Sequence, residues 1–231
     1  MASPDIKRLP PCPGRTLVIG DVHGCADELH TLIDAFGPKP EDRLIAAGDL
    51  INRGPDSPGV LELIRVHKIQ PVLGNHEQRL LTAYLSRNPE TLKPKDLPAF
   101  KALKPDEWQW ISEWPHLLHI PSIKALVVHG GLDPRLSWRN QNPETLINIQ
   151  VLDADGLPAK RASAPNGIPW AINWAGPEHV YYGHTPRPQP LLHPFATGLD
   201  TGCVYGYALT AVVLPDFEFL RVQARKRYAS G

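Results

Sequence analysis

An apolar run that ends in glycine and a polar side chain recurs three times in the first third of the chain. The runs are RTLVIGD, RLIAAGD and IQPVLGNH. Each is followed by a segment with helical spacing of apolar residues, such as Leu29, Leu32, Ile33 and Phe36 after the first. Short buried strands that alternate with helices predict right-handed crossovers and a largely parallel, buried sheet. The fold class is therefore predicted to be α/β.

The rest of the chain is less regular. Residues 86–120 contain five prolines and short helical patterns, which predict a helical insertion over one edge of the sheet. Residues 132–177 show little periodicity, and loops of that length in compact domains are usually functional or mobile, so we expect a long active-site loop region there. Four closely spaced apolar runs follow, and they favour a second, mixed or antiparallel sheet: HVYYGHT, FATGLDTG, YALTAVVLP and FEFLRVQAR.

Length and composition limit the class of protein. A chain of 231 residues with 42% hydrophobic and 21% charged residues fits one large globular domain, which we place at about residues 15–225. It has neither a membrane-length apolar run nor the apolar core of a signal peptide, so we expect a cytoplasmic protein with no membrane partner. Because 24 basic residues balance 24 acidic ones, no specific nucleic-acid binding is expected. Three cysteines without C-x-x-C spacing fit a reducing compartment.

Polar residues able to bind metals follow five of the apolar runs. Ligands in α/β proteins bind at the carboxyl ends of strands, so distant residues can converge there. Each residue taken alone is more often a turn residue, but five such positions together predict a metal centre. Carboxylate, imidazole and amide oxygen together suit two divalent cations. The residues are Asp21, His23, Asp49, Asn75, His76, His129 and His184.

The ordered motifs GDVHG, GDLINRG, GNHE, HGGLDP and GHT resemble those of the calcineurin-like metallophosphoesterases. The resemblance covers Leu17 to about Leu214 and is to the branch that holds the Ser/Thr phosphoprotein phosphatases and the symmetrical diadenosine tetraphosphate hydrolases. It implies a four-layer α/β/β/α sandwich of two mixed sheets flanked by helices. It also implies two divalent metal ions, with Mn²⁺ expected first and Fe or Zn as alternatives. On this pattern Asp21, His23 and Asp49 hold one ion, and Asp49 bridges to a second held by Asn75, His129 and His184.

The resemblance also implies a mechanism. A hydroxide that bridges the two ions attacks phosphorus in line, without a covalent enzyme intermediate. Arg53 serves as a fork for phosphate oxygens, and His76 is the general acid for the leaving group. Glu77 is interpreted as a helix-start carboxylate with a structural role.

Asn52 departs from the pattern of the protein phosphatases, in which an aspartate precedes the Arg-Gly pair and supports the catalytic histidine. An asparagine can accept a hydrogen bond from the His76 ring, but it cannot stabilise an imidazolium by charge. A weaker acid slows the departure of a serine alkoxide, which needs a proton, more than the departure of a nucleotide phosphate, which can leave as an anion. Asn52 therefore favours hydrolysis of phosphoanhydrides in dinucleoside polyphosphates.

Two other functions stay open. A phosphoprotein phosphatase acting on serine, threonine or tyrosine is supported by HGGLDP, so the partner is a nucleotide polyphosphate or a phosphoprotein. A non-catalytic phosphate-binding module is disfavoured because no predicted metal ligand is missing.

Trp170 and Trp174 could stack on a nucleobase, but packing of their loop onto the sheet is favoured. Asp200 is left open between support of the metal site and a structural role, and four arginines could contact a polyphosphate: Arg135, Arg139, Arg161 and Arg187.

Overall fold

Two β-sheets lie face to face in the computed structural model, which describes residues 3–230. The helices are α1 (Ala26–Phe36), α2 (Ser57–Val66), α3 (Asn75–Leu85), α4 (Leu97–Ala102), α5 (Pro105–Ile111) and α6 (Pro143–Asn148). The strands are β1 (Ile6–Arg8), β2 (Thr16–Ile19), β3 (Arg43–Ala46), β4 (Gln70–Pro71), β5 (Leu117–Ile120), β6 (Ala125–Val128), β7 (Val151–Leu152), β8 (Pro158–Ala159), β9 (Ile168–Pro169), β10 (His179–Tyr182), β11 (Leu191–His193), β12 (Ala196–Gly198), β13 (Ala208–Leu214) and β14 (Glu218–Gln223).

Both large sheets are mixed, as predicted. One has the strand order β1-β5-β6-β10-β12-β11, and the other has the order β14-β13-β2-β3-β4. The three predicted strand-helix units give β2, β3 and β4, which pair in parallel. Strand β4 is only two residues long and lies at the sheet edge, where Pro71 needs no partner for the N–H that it lacks.

Alternation of side chains along the strands builds the layers. In β2, Leu17 and Ile19 pack against the helices that follow β2 and β3, while Val18 points into the space between the sheets. In β6, Val127 faces that same space, and Val128 packs on the opposite side. Full burial of each such side chain contributes about 1.5–3 kcal/mol. The three apolar layers confirm the predicted four-layer α/β/β/α sandwich.

The four C-terminal runs do not form one sheet, so that prediction is wrong. Strands β10 and β12 belong to the six-stranded sheet, whereas β13 pairs antiparallel with β2 and carries β14 at the edge. All seven residues of β13 are buried, which suits a strand with neighbours on both sides. A continuous apolar run does not reveal which of two sheets it will join.

The two irregular segments contain more structure than their sequences indicated. The helical insertion holds α4 and α5, but residues 117–120 of the predicted segment form β5 and pair with β6. Within residues 132–177 lie α6 and a separate small sheet with the order β8-β7-β9, whose strands are too short to show a period of two. None of the helices in the described part of the chain has the length and apolar character needed to cross a bilayer.

Candidate metal centre

The structure brings all six predicted metal ligands to one point. Asp21 follows β2, Asp49 follows β3, His129 follows β6 and His184 follows β10, while Asn75 begins α3. The predicted ligands therefore come from both sheets, at the carboxyl ends of their strands, as the α/β pattern predicts. All of them except His129 line a cavity of about 230 Å³, together with Arg53 and His76 among others.

The backbone of these turns is strained. Most non-glycine residues avoid positive φ, and each such residue costs on the order of 1 kcal/mol or more, which surrounding contacts must offset. Strain of this kind is typical of functional sites because it aims side chains that a relaxed turn would not. Five site residues have positive φ: His23 (50°), Asp49 (50°), Asn52 (76°), Arg53 (69°) and His184 (68°).

Asp49 lies at the centre of the cluster. Its Oδ2 is 3.6 Å from Nε2 of His23 and 3.3 Å from Nε2 of His129. The same His129 nitrogen is 3.0 Å from Oδ1 of Asn75. Metal-binding atoms of Asp49, His129 and His184 all lie within 4.8 Å of one another, and so do those of Asp49, His23 and His76. Both groups contain Asp49, which suits a carboxylate shared by two cations; His76, in the second group, is the predicted general acid and not a predicted ligand.

Neighbouring backbone groups orient the imidazole rings. Nδ1 of His129 lies 2.9 Å from the carbonyl oxygen of Ala47, which leaves Nε2 to face Asp49. Nε2 of His184 lies 3.1 Å from the carbonyl oxygen of Asn148, which leaves Nδ1 for the cavity. Hydrogen bonds of this kind fix the tautomer and orientation of metal-binding histidines.

The electrostatics of the site fit bound cations. Asp21, Asp49 and Asp200 are all buried, and burial together with the charge of Asp200 raises the pKa of Asp21 well above its usual range. Burial opposes a charged His129, yet the Asp49 carboxylate raises the pKa of His129 to about 10. The donor set therefore attracts positive charge at the position that a divalent cation would occupy. Asp200 also accepts a hydrogen bond from the Gly202 N–H at 3.0 Å. It therefore stabilises the turn that contains Gly202 and also adds negative charge to the site.

Glu77 connects the motif GDLINRG to the motif GNHE through hydrogen bonds. Its carboxylate accepts hydrogen bonds from the backbone N–H groups of Asp49, Leu50, Ile51 and Gly74 at 2.8–3.0 Å. The side chain is fully buried. These contacts give Glu77 the structural role interpreted from its position at the start of α3, and extend that role to the strained turn around Asp49.

Arg53 lines the cavity and has a guanidinium donor without a partner among the described residues. Its Nε is buried and has no hydrogen-bond acceptor within residues 3–230. The guanidinium carbon lies 5.5 Å from the centroid of the Tyr205 ring. A buried donor without an acceptor is costly, and a phosphate oxygen would satisfy it.

A buried network surrounds the ring of His76. Nδ2 of Asn52 lies 3.0 Å from Nδ1 of His76 and donates to Oδ1 of Asp96 at 2.8 Å. Nη2 of Arg79 makes the same pair of contacts, at 3.2 Å and 2.9 Å. The Arg53 N–H donates to Oδ1 of Asn52 at 2.8 Å, so both ends of the amide have fixed partners. The amide nitrogen therefore faces acceptors, and the amide oxygen faces a donor.

The network reverses the hydrogen bond expected of Asn52. We expected the Asn52 oxygen to accept from the His76 ring, but the amide nitrogen faces it. Amide and guanidinium nitrogens only donate, so Nδ1 of His76 accepts and the ring proton sits on Nε2. Burial, with the charges of His23, Arg53 and Arg79, lowers the pKa of His76 to about 2 despite the opposing charge of Asp49.

Sequence reasoning missed Asp96 and Arg79. Asp96 lies 44 positions after Asn52 in the helical insertion, and no motif marks it. Arg79 carried a usable signal, because it follows His76 by three residues on α3 and such residues share a helix face.

The two tryptophans do not offer faces to a nucleobase. Trp170 is 1% exposed and Trp174 is 7% exposed. The indole N–H of Trp170 donates to the Gly130 carbonyl, and that of Trp174 donates to the Glu178 carbonyl. Stacking on a base is therefore the wrong alternative, and packing of the segment onto the six-stranded sheet is the right one.

Comparisons with known proteins agree with this geometry. The sequence profile described as calcineurin-like phosphoesterase matches residues 14–199. The asymmetrical bis(5'-nucleosyl)-tetraphosphatase PrpE of Halalkalibacterium halodurans is 31% identical, over 92% of this chain and 95% of the relative. The protein of the same name from Oceanobacillus iheyensis is 26% identical, over 91% of this chain and 93% of the relative.

Solved structures give the same picture. A protein described as a candidate diadenosine tetraphosphatase is 33% identical and has a TM-score of 0.86, over 96% of this chain and 98% of that chain. A cold-active protein-tyrosine phosphatase from a Shewanella species shares the fold at 16% identity, with a TM-score of 0.60 over 96% of this chain and 80% of that chain. The chain is therefore a phosphoester or phosphoanhydride hydrolase that belongs to the calcineurin-like phosphoesterase family.

Proposed function

We propose that the protein hydrolyses phosphoanhydride bonds of dinucleoside polyphosphates such as diadenosine tetraphosphate. The observation that carries the choice of substrate is the orientation of His76, whose Nδ1 faces the two donors on Asn52 and Arg79. The names of the relatives support it, and they specify asymmetrical cleavage, where the resemblance implied symmetrical hydrolases.

The geometry supports the proposed residue roles. Asp21, His23, Asp49, Asn75, His129 and His184 would hold two divalent cations, Mn²⁺ in our proposal with Fe or Zn as alternatives. Cations in such a site supply an activated water and neutralise phosphoryl oxygens. Arg53 binds a phosphate oxygen through its unpaired Nε, which orients the phosphoryl group in the cavity.

His76 acts on the leaving-group side in this proposal. His76 lines the cavity, and its Nε2, which carries the N–H, lies 4.0 Å from Oδ2 of Asp49. A neutral imidazole can donate a hydrogen bond from Nε2 but is a poor source of a full proton. A nucleotide phosphate needs only that hydrogen bond, whereas a serine alkoxide needs the proton. The network around His76 thus favours anhydrides over alkyl phosphate esters.

One assay tests the proposal. Purified protein with Mn²⁺ is given diadenosine tetraphosphate, a phosphoserine peptide and a phosphotyrosine peptide in parallel, with Asp49→Asn as the blank. We expect the fastest turnover on the dinucleotide, with ATP and AMP as products. Two ADP molecules would indicate symmetrical cleavage. Faster turnover of either peptide would favour the phosphoprotein phosphatase, and absence of metal-dependent turnover on all three would favour the binding module.

The cellular location stays a prediction. The three cysteines are free thiols, which fits the cytoplasmic location expected from the sequence. Fractionation of the source cells, followed by immunodetection of the protein, tests this expectation.

A further inference from the structure

Two of the four arginines that could contact a polyphosphate are already engaged. Arg135 donates to Asp133 through Nε at 2.9 Å and through Nη2 at 2.6 Å. The guanidinium carbon of Arg139 lies 4.0 Å from the centroid of the Trp138 ring. Neither guanidinium is free to take up a phosphate without losing these contacts.

Arg161 and Arg187 are different. Both are partly buried, and within residues 3–230 neither guanidinium has a carboxylate or hydrogen-bond acceptor. Their backbone N–H groups do have acceptors: that of Arg161 donates to Oε1 of Gln150 at 3.0 Å, and that of Arg187 donates to the Asp200 carbonyl at 3.1 Å. Hydrogen bonds thus fix the main chain of both arginines, while their guanidinium groups have no partner in the described part of the chain.

The same contacts hold the main chain of both arginines beside the metal centre, because Gln150 and Asp200 line the cavity. Gln150, which bonds Arg161, lines the cavity, and its Nε2 lies 3.5 Å from the carbonyl oxygen of the predicted ligand His184. Arg187 follows His184 by three residues, and Pro186 between them also lines the cavity. The segment of residues 132–177 and the turn after β10 therefore each anchor the main chain of one arginine next to residues that line the cavity.

The two guanidiniums also influence each other. Burial, and after it the positive charge of Arg187, lowers the pKa of Arg161. Two neighbouring positive charges without a counterion repel each other, and an anion with several charges relieves that repulsion. Guanidinium groups match phosphate oxygens through paired N–H donors, so a chain of phosphates is the chemical class that fits best.

We infer that Arg161 and Arg187 form an anion site for the phosphates of the substrate that lie next to the phosphate under attack. This inference rests on the proposed function, and it makes a chain of several phosphates the feature that the protein selects. A phosphomonoester without further phosphates would not reach the pair.

Kinetics of the holoenzyme test the inference. The double variant Arg161→Gln/Arg187→Gln is compared with wild type on diadenosine tetraphosphate and on p-nitrophenyl phosphate, which carries one phosphate. Loss of charge-assisted hydrogen bonds should raise KM for the dinucleotide about tenfold or more. The value of kcat/KM for p-nitrophenyl phosphate should fall by less than about twofold. Arg139→Gln, from the same segment, is the matched control and should change neither. Equal losses on both substrates, or an unchanged KM for the dinucleotide, would overturn the inference.

A binding measurement separates this inference from the proposed function. The affinity of the Asp49→Asn protein for inorganic tripolyphosphate is measured by calorimetry, with and without the two arginine substitutions. We expect the substitutions to raise Kd about tenfold or more. An unchanged Kd would refute the anion site whatever the activity of the wild type. If the wild type hydrolyses none of the substrates but the Kd shift is present, the proposed function fails and the anion site stands.

Discussion

The predicted metal ligands and the residues around them have different structural origins. The ligands, which we term the strand-end set, come from turns directly after β2, β3, β6 and β10 and from the first residue of α3. The surrounding set consists of Arg79 on α3, Asp96 in the helical insertion, Arg161 within residues 132–177 and Arg187 in a C-terminal turn. One set is anchored in the sheets, and the other comes largely from segments outside them.

The difference separates two tasks. Buried strands hold the strand-end set rigidly, which a dinuclear centre requires because its ligands must converge within a few ångströms. The surrounding set adjusts the ring of His76 and supplies unpaired positive charge. Substitutions in the strand-end set should therefore abolish all activity, whereas those in the surrounding set should change which substrate is preferred.

The largest expected effect is at the centre of the strand-end set. Asp49→Asn removes the bridging charge, so we expect kcat/KM on every substrate to fall by about 10³-fold or more. Metal analysis after gel filtration should show fewer than two equivalents of Mn²⁺. Asp42→Asn is the control, because Asp42 pairs with Arg15 outside the site. A variant that keeps two ions and a rate within tenfold of wild type would contradict the bridge.

Glu77 links the strand-end set to its scaffold. Glu77→Gln places an amide N–H against backbone donors that now meet a carboxylate oxygen, so the free energy of unfolding should fall by about 3 kcal/mol or more. Urea unfolding followed by circular dichroism measures the change. Glu107→Gln is the matched control, since Glu107 is also a helix-start carboxylate but accepts from the Lys104 N–H alone, and about 1 kcal/mol is expected. Equal losses in the two variants would show that the additional backbone hydrogen bonds to Glu77 do not stabilise the protein.

A charge exchange in the surrounding set should change the substrate preference. Asn52→Asp alone sets two carboxylates side by side, because Nδ2 of Asn52 is 2.8 Å from Asp96. In the double variant Asn52→Asp/Asp96→Asn, the new carboxylate at position 52 can accept a hydrogen bond from a protonated Nδ1 of His76. The ratio of kcat/KM for a phosphoserine peptide to that for diadenosine tetraphosphate should rise about tenfold, the effect of one charge-assisted hydrogen bond. Asp96→Asn alone is the control, and an unchanged ratio in the exchange variant would remove the leaving-group argument.

The smallest expected effect on activity is at a residue outside both sets. Trp170→Phe loses one hydrogen bond and part of a buried ring, so the free energy of unfolding should fall by about 1–3 kcal/mol. KM for diadenosine tetraphosphate should stay within about twofold, because the ring does not reach the cavity. A tenfold rise in KM without loss of stability would place Trp170 at the substrate after all.

The strand-end set could be predicted because its chemistry is local in sequence. Five of the six members follow an apolar run within one or two residues, and His23 follows Asp21 by two. The end of a predicted strand therefore marks each of them without knowledge of the rest of the fold. The surrounding set lacks such marks. Asp96 lies in an irregular, proline-containing segment, and its role depends on contact with Asn52, which is 44 positions away.

Sequence alone thus determined the α/β class, the layered sandwich, the six candidate ligands and the importance of Asn52. Tertiary structure decided which sheet each C-terminal strand joins, which way the Asn52 amide points and which arginines remain unpaired. The physical reason is that apolar periodicity and strand ends are local properties of the chain. The direction of a buried hydrogen bond, or the presence of a counterion, depends on partners that only folding brings together.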